Sequence, residues 1–437
     1  VDRDGVPFAG GQLITSRRQP VAGILTAQGD FTPWMVDGHI GATSFLPYRW
    51  ALQLGGLDAA RGLSVATGVA VMAGMLQLGG ALGSSLAGWL TLILLATSTQ
   101  FLFIYQWVRP DEHWTWAMPL FAVLAAIRHA KTQHRRWLVV AGLCLGLAVA
   151  AKSTAIIVVG SLVVATFGFR MLRHLKWRDT VVLGLSALPP ILPQAMWTAF
   201  GNHEALDSRF AGLPSPRTLL DPDRLWFFLM HFFDSFGGLG TYIAGAFVDQ
   251  QPDPGAIGRL SGVVVLAGFA AFILLTLRKS TPRPQRALGF ALATTSAAYL
   301  AIYYQGMSLY LLLTPWVPLA VGLILAQLWT PGRLVVARRV VVVGVMVLLC
   351  GNGLAQTRIL HRMVAHPQLD IVALGAQQAL AAALVAGNVV APWTSTHNIV
   401  GALEVLTAAQ VRPHHAFAMF LAEVVKVGET SAGYDAA

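Results

Sequence analysis

Apolar residues along the chain gather into runs of roughly 15–22 positions, the length needed to cross a hydrocarbon core about 30 Å thick. Ten such runs predict ten membrane-spanning helices, at 63–78, 86–106, 114–128, 138–151, 153–168, 180–199, 256–276, 288–304, 309–328 and 340–355. The stretch Leu138–Gly168 is too long for one untilted helix, and a basic segment flanks it at each end. Both flanks share a side only if the chain crosses twice, so two short helices are predicted, turning at Lys152-Ser153-Thr154. The expected fold class is therefore an all-α polytopic membrane protein.

Composition agrees with the pattern. Of the 437 residues, 55% are hydrophobic and 11% charged, with a mean hydropathy of +0.62, whereas a soluble domain carries about 25% charged residues. The net charge of +10 raises nucleic acid as a partner, but the placement of the charges argues against it. Lys and Arg sit in short clusters between apolar runs, without the interleaved aromatics that stack bases. The two cysteines, Cys144 and Cys350, each lie inside an apolar run and read as packing residues.

The charges also set an orientation. Fifteen of the 30 Lys and Arg residues fall in Arg128–Trp137, Phe169–Asp179, Leu277–Arg286 and Trp329–Arg339, which hold one acidic residue, Asp179. All four connections lie on one side of the ten-helix topology, which the positive-inside rule makes cytoplasmic. Residues 1–61 then form a first outer loop. Residues 62–355 form the membrane domain, with a long outer loop at 200–255, and residues 356–437 form a small outer α/β lobe. In that lobe Asn388–Ala391 reads as a strand and Val400–Ala409 as a helix. Within the long loop, Leu225–Phe236 is an aromatic segment suited to lying in the membrane interface. Because the chain starts outside, a further membrane helix is expected before Val1, making eleven.

No carboxylate falls in a predicted span, which moves weight from ion-coupled transport toward chemistry at the outer interface. Arg109-Pro110-Asp111-Glu112 contains the chain's one adjacent acidic pair. In a tight outer loop such a pair could ligate a divalent metal or orient a hydroxyl, with Arg109 meeting a phosphate; the plainer alternative is a polar loop tip. Lys152, the lysine inside an apolar run, could bind the phosphate of a lipid-linked substrate or simply snorkel to mark a helix end. His39, His113, His203 and His231 lie on the outer side without metal-site spacing, as does His414-His415, and read as ordinary loop residues. Tyr303-Tyr304 reads as part of an aromatic belt.

Several of these segments resemble a known family. Arg109-Pro-Asp-Glu, the short apolar helix ending Ile127-Arg128-His129-Ala130, and AGLCLGLAVAAKSTAIIVVGSLVV (141–164) look like the core of GT-C glycosyltransferases. That superfamily includes protein O-mannosyltransferases and lipid A aminoarabinose transferases, and its members share a GL-x-x-G-L-A-x-x-x-K helix after an acidic second outer loop. GATSFLPYRWALQLGGLDAARGLSVATG (41–68) is similar to the end of the family's first outer loop. The resemblance spans about residues 38–170.

What the resemblance implies is a transferase that moves a sugar from a polyprenyl-phosphate donor to a lipid, glycan or protein acceptor on the periplasmic face of a bacterial inner membrane. Asp111 and Glu112 match the second-loop position and Lys152 the hairpin lysine, with Arg109 and His39 as further substrate-binding candidates. The family's Asp-Glu pair after its first helix has no counterpart in residues 1–61, which contain no glutamate. Asp30 and Asp37 are its substitutes, alongside Asp2 and Asp4, or else the pair lies before Val1. No cofactor is required by these residues, with a divalent metal at Asp111 and Glu112 as the alternative. Two competing functions stay open: a non-catalytic GT-C-like subunit of a larger complex, and a transporter of lipid-linked or small solutes.

Overall fold

The structure is a computed structural model. It describes residues 23–25, 31–33, 35–37, 40–106, 110–171, 176–200, 222–238, 254–302, 313–330, 335–365, 386, 393–394 and 414–415. Helices dominate. They are α1 Leu46–Leu82, α2 Ser85–Ala96, α3 Thr99–Gln106, α4 Pro110–Thr132, α5 Arg136–Ala151, α6 Ala155–Gly168, α7 Trp177–Phe200, α8 Pro222–Gly237, α9 Gly255–Thr276, α10 Arg283–Ile302, α11 Trp316–Leu328 and α12 Val335–Ala365. Ahead of α1, strand β1 (Gly23–Leu25) pairs antiparallel with β2 (Phe31–Pro33), and β3 (Met35–Asp37) with β4 (Ile40–Gly41). A single 3-10 turn, Ala42–Phe45, leads into α1.

Among the described residues, three helical stretches are long and apolar enough to cross a membrane alone: Asp58–Leu82, Gly255–Thr276 and Val335–His361. A fourth span was expected as one helix over 86–106. The structure breaks it between α2 and α3, which meet at a 68° bend. The cause is local polarity: Thr97 turns its hydroxyl back onto the Ile93 carbonyl at 2.9 Å, and Ser98 follows it. Gly353 of α12 then packs against the Thr97 carbonyl so closely that a Cβ there would collide. The apolar helices α5, α6 and α11 are shorter, and α5 and α6 form the hairpin that the flanking charges required. Apolar side chains cover the outside, with Val336, Val347 and Leu274 all more than 60% exposed, as expected for a surface facing lipid rather than water. The chain is an integral membrane protein.

Glycine decides how the hairpin docks. Gly142 and Gly146 of α5 lie against the carbonyls of Leu183 and Ala187 in α7, where any Cβ would strike backbone. This is the small-xxx-small contact by which membrane helices approach closely. It accounts for the glycines in the GL-x-x-G-L-A pattern as packing residues.

Contacts sort the helix ends into two groups. Arg135 Nε donates to Asp179 at 3.0 Å, fastening the α4–α5 turn to the start of α7. The Arg286 guanidinium lies 5.3 Å from the centroid of the Phe169 ring, bringing the start of α10 to the end of α6. Gln327 donates to Gln285 at 3.3 Å, which adds the end of α11. Segments from three of the basic clusters, with the helix end that leads into the fourth, thus meet at one end of the bundle. The Lys152 turn lies at the other, because α5 runs from Arg136 to Ala151 between them.

The amphipathic segment expected at the interface forms α8, with Leu225 and Trp226 exposed and Phe232 buried against Phe236 and Phe269. Toward the C-terminus, Trp393–Thr394 pairs in parallel with His414–His415. The strand expected at Asn388–Ala391 and the helix at Val400–Ala409 lie outside the described residues.

Candidate functional site

Pro110 opens α4 and places Asp111 and Glu112 in its first turn. Proline at the first helical position loses no needed hydrogen bond, and the positive end of the helix dipole favours carboxylates there. The sequence suggested a polar loop tip. The structure instead folds both residues into the helix and buries them, at 1% and 0% exposure.

Lys152 explains how two carboxylates tolerate that burial. It caps α5 in an extended conformation, φ −152° and ψ 121°, and so leaves the helix axis. Its side chain, itself buried, donates from Nζ to Glu112 Oε1 and lies 3.6 Å from Asp111 Oδ2. The lysine therefore does not snorkel to the surface; it is the cation of a buried three-charge cluster. An unpaired charge in such surroundings costs several kcal/mol, and charged groups in membrane interiors mark functional sites more often than structural ones.

His113 was expected to be an ordinary loop residue, and this is corrected. Its ring is fully buried, with Nε2 2.7 Å from the Ile104 carbonyl and Nδ1 2.7 Å from the Tyr48 hydroxyl. A carbonyl only accepts, so Nε2 carries the proton. In the neutral ring Nδ1 is then the acceptor and Tyr48 donates to it. Burial pushes the Tyr48 phenol above its ordinary value, with the neighbouring Thr67 and Ser64 hydroxyls acting in the opposite sense, so it stays protonated and able to donate. Tyr105 stacks on the imidazole with centroids 4.7 Å apart and planes 13° apart. Gly68 leaves room for the Tyr105 ring. One histidine thus joins α1, α3 and α4 beside the charge cluster.

The segment that ends the first loop also reaches this place. Gly41 sits on the carbonyl of Ala150, two residues before Lys152, in a contact closed to any side chain. Asp37 ends β3 four residues earlier. Its side chain and that of His231 lie outside the described residues, as do Asp2, Asp4, Asp30, His39, Arg109, His203 and Tyr303-Tyr304. The structure therefore brings together Asp111, Glu112 and Lys152 of the candidate residues, and adds His113 and Tyr48. As for a metal, no group of three His, Cys, Asp or Glu side chains gathers among the described residues. The ammonium of Lys152 contacts both Asp111 and Glu112, the two carboxylates that a divalent ion would use.

No protein-family model matches the sequence, and no curated protein matches it. Solved structures do. The crystal structure of ArnT from Cupriavidus metallidurans bound to undecaprenyl phosphate aligns with a TM-score of 0.56, covering 90% of this chain and 79% of that one at 12% identity. The chain has the ArnT fold. The apo structure of the same protein aligns with a TM-score of 0.47 at 13% identity, covering 87% of this chain and 78% of that one. ArnT is a lipid A aminoarabinose transferase, a GT-C enzyme, so the ArnT fold is the one that the resemblance over residues 38–170 implied.

Proposed function

We propose that the chain is a GT-C-type membrane glycosyltransferase that takes a sugar from a polyprenyl-phosphate carrier and passes it to an acceptor at the Lys152 end of the bundle. The observation that carries this reading is the buried Asp111–Glu112–Lys152 cluster at the turn of a helical hairpin. The ArnT fold supports it, since the aligned ArnT structure holds undecaprenyl phosphate.

The chemistry needs three things. An acceptor hydroxyl attacks the anomeric carbon, the bond from that carbon to the phosphate oxygen breaks, and the lipid phosphate departs with the electron pair. A cation must meet the charge growing on the phosphate, and a carboxylate must take the hydroxyl proton. In this reading Lys152 is the cation, joined by Arg109 and His39. Asp111 and Glu112 set the position of Lys152, and Asp37 or Asp30 in the first loop accepts the proton. The basic end faces the cytoplasm and the Lys152 end the periplasm of a bacterial inner membrane; the acceptor is a lipid, glycan or protein.

Purified full-length protein titrated with undecaprenyl phosphate, read by native mass spectrometry, tests the site. Lys152→Ala should weaken binding about tenfold, the effect of losing one charge-assisted contact. Transfer from a polyprenyl-phosphate sugar should fall by a similar factor or more. Unchanged binding and transfer in both Lys152→Ala and Asp111→Asn would sink the assignment. A second reading, a non-catalytic GT-C-like subunit, is favoured by the lack of an adjacent acidic pair in residues 1–61. It predicts lipid-phosphate binding that depends on Lys152 without any transfer.

A further inference from the structure

At the opposite end of α5 lies a second arrangement that the proposed reaction does not use. The guanidinium carbons of Arg128, in the last turns of α4, and Arg136, the first residue of α5, each lie 5.4 Å from the centroid of the Trp137 ring. Two like charges thus converge on one indole. Both arginines are exposed, as are Lys131 in the last turn of α4 and Arg135 just before α5.

Counter-charge is scarce here. Asp179 is the acidic residue at this corner among the described residues, and it is already committed. It accepts from Arg135 Nε at 3.0 Å and from the Lys176 backbone N–H at 3.1 Å. The indole Nε1 of Trp137 is buried and has no acceptor among the described residues. Arg128, Arg136 and the indole N–H are all donors, with no lone pair to offer one another. An indole face favours a cation, and two guanidiniums held at one ring concentrate positive charge that an anion at the surface would meet. The partner that such a set of donors suits is an anion with several acceptor oxygens.

The location selects its source. Arg136 and Lys152 bracket a helix of 16 residues, about 24 Å at 1.5 Å per residue, so this corner lies near one membrane surface when Lys152 lies near the other. Exposed Trp177, with Arg178 5.7 Å from its ring, stands at the start of the adjoining α7. Arginine paired with tryptophan at that depth is the composition of a headgroup-level site. We infer that the Arg128–Arg136–Trp137 corner binds the phosphodiester headgroup of an anionic phospholipid in the leaflet at the basic end. Each guanidinium can offer two parallel N–H groups to the phosphate oxygens.

The test uses the purified full-length chain and native mass spectrometry with phosphatidylglycerol or phosphatidylcholine of identical acyl chains. Wild-type protein should retain phosphatidylglycerol over phosphatidylcholine. Arg128→Gln/Arg136→Gln should lower phosphatidylglycerol affinity about tenfold or more, the effect expected from two cations at a membrane surface. Arg278→Gln/Lys279→Gln removes equal charge from the α9–α10 turn at the same end and should leave the preference within about twofold, since its charges lie beyond a close contact. Equal loss in the two double variants would overturn the proposal, because binding would then follow net charge alone. Equal retention of both lipids by wild type would also overturn it, as would displacement by inorganic phosphate at the lipid's concentration. Circular dichroism of Arg128→Lys/Arg136→Lys, which keeps charge but loses the planar fork, separates lost folding from lost contact. That variant should stay helical and bind between wild type and the Gln variant.

Discussion

Replacing Lys152 with methionine keeps most of the side-chain length and removes the charge from a site where two carboxylates are 1% and 0% exposed. Breaking a buried ion pair from one side costs about 3–5 kcal/mol, because the remaining charge is left without compensation. The first turn of α4 offers some relief. A helix N-terminus is worth about 0.3–1 kcal/mol to a carboxylate, too little to replace the ammonium. A net loss near 2–5 kcal/mol follows from these two terms. Scaling the entropy of unfolding to 437 residues gives about 1 °C per kcal/mol, so the thermal midpoint in detergent should fall by about 2–5 °C. Adding Asp111→Asn and Glu112→Gln to Lys152→Met removes the charges of these three residues and should restore most of that loss, since neither carboxylate is then left ionised without its ammonium. The reasoning fails if Lys152→Met melts within 1 °C of wild type, or if the triple variant is the less stable of the two.

Three further outcomes are expected. Tyr48→Phe removes the hydroxyl that donates to a buried imidazole and should cost about 1–3 kcal/mol; its effect should largely disappear in a His113→Phe background, which a double-mutant cycle of thermal midpoints measures. Gly353→Val drives a branched side chain into the Thr97 carbonyl at the α2–α3 bend and should cost about 1–3 kcal/mol or more, seen as a lower melting midpoint. At the basic end, the Lys176 backbone N–H and then Arg135 hold the Asp179 carboxyl below its ordinary value, against a smaller opposing effect of burial. A depressed folded value means the contribution is complete above the unfolded value near 3.9 and fades as pH drops through the folded one. Asp179→Asn should therefore melt below wild type at pH 7, with the gap narrowing as pH falls below the ordinary carboxylate value, and equal midpoints at pH 7 would refute the linkage.

The hairpin was legible in the sequence because charge on both flanks of Leu138–Gly168 admits only an even number of crossings. The gathering of basic segments at one end was legible for the same reason. The state of Asp111, Glu112 and His113 was not. Arg-Pro-Asp-Glu-His-Trp has loop composition, and local polarity outweighed the helix-start signal that Pro110 followed by two acids also carries. The role of His113 depends on Tyr48, 65 positions away, and no periodicity links residues so far apart. The bend at Thr97-Ser98 was hidden inside an apolar run because hydropathy averages over a window, while a helix can break on two hydroxyl-bearing residues.

The dimensions of the hairpin have a mechanical consequence. With 16 residues in α5 and 14 in α6, its arms measure about 24 and 21 Å, shorter than an unperturbed hydrocarbon core of about 30 Å. Hydrophobic mismatch of this kind is relieved by local thinning of the bilayer. With Arg136 and Trp137 anchored at one surface, the deficit falls on the side of Lys152, where the leaflet must dip to meet the helix ends. Under the function proposed above, a polyprenyl phosphate lying in that leaflet would reach the Lys152 end by lateral diffusion, without leaving the lipid phase. Bilayer thickness becomes a control variable for the protein: thicker membranes should deepen the dip and strain the hairpin, while thinner ones should relax it.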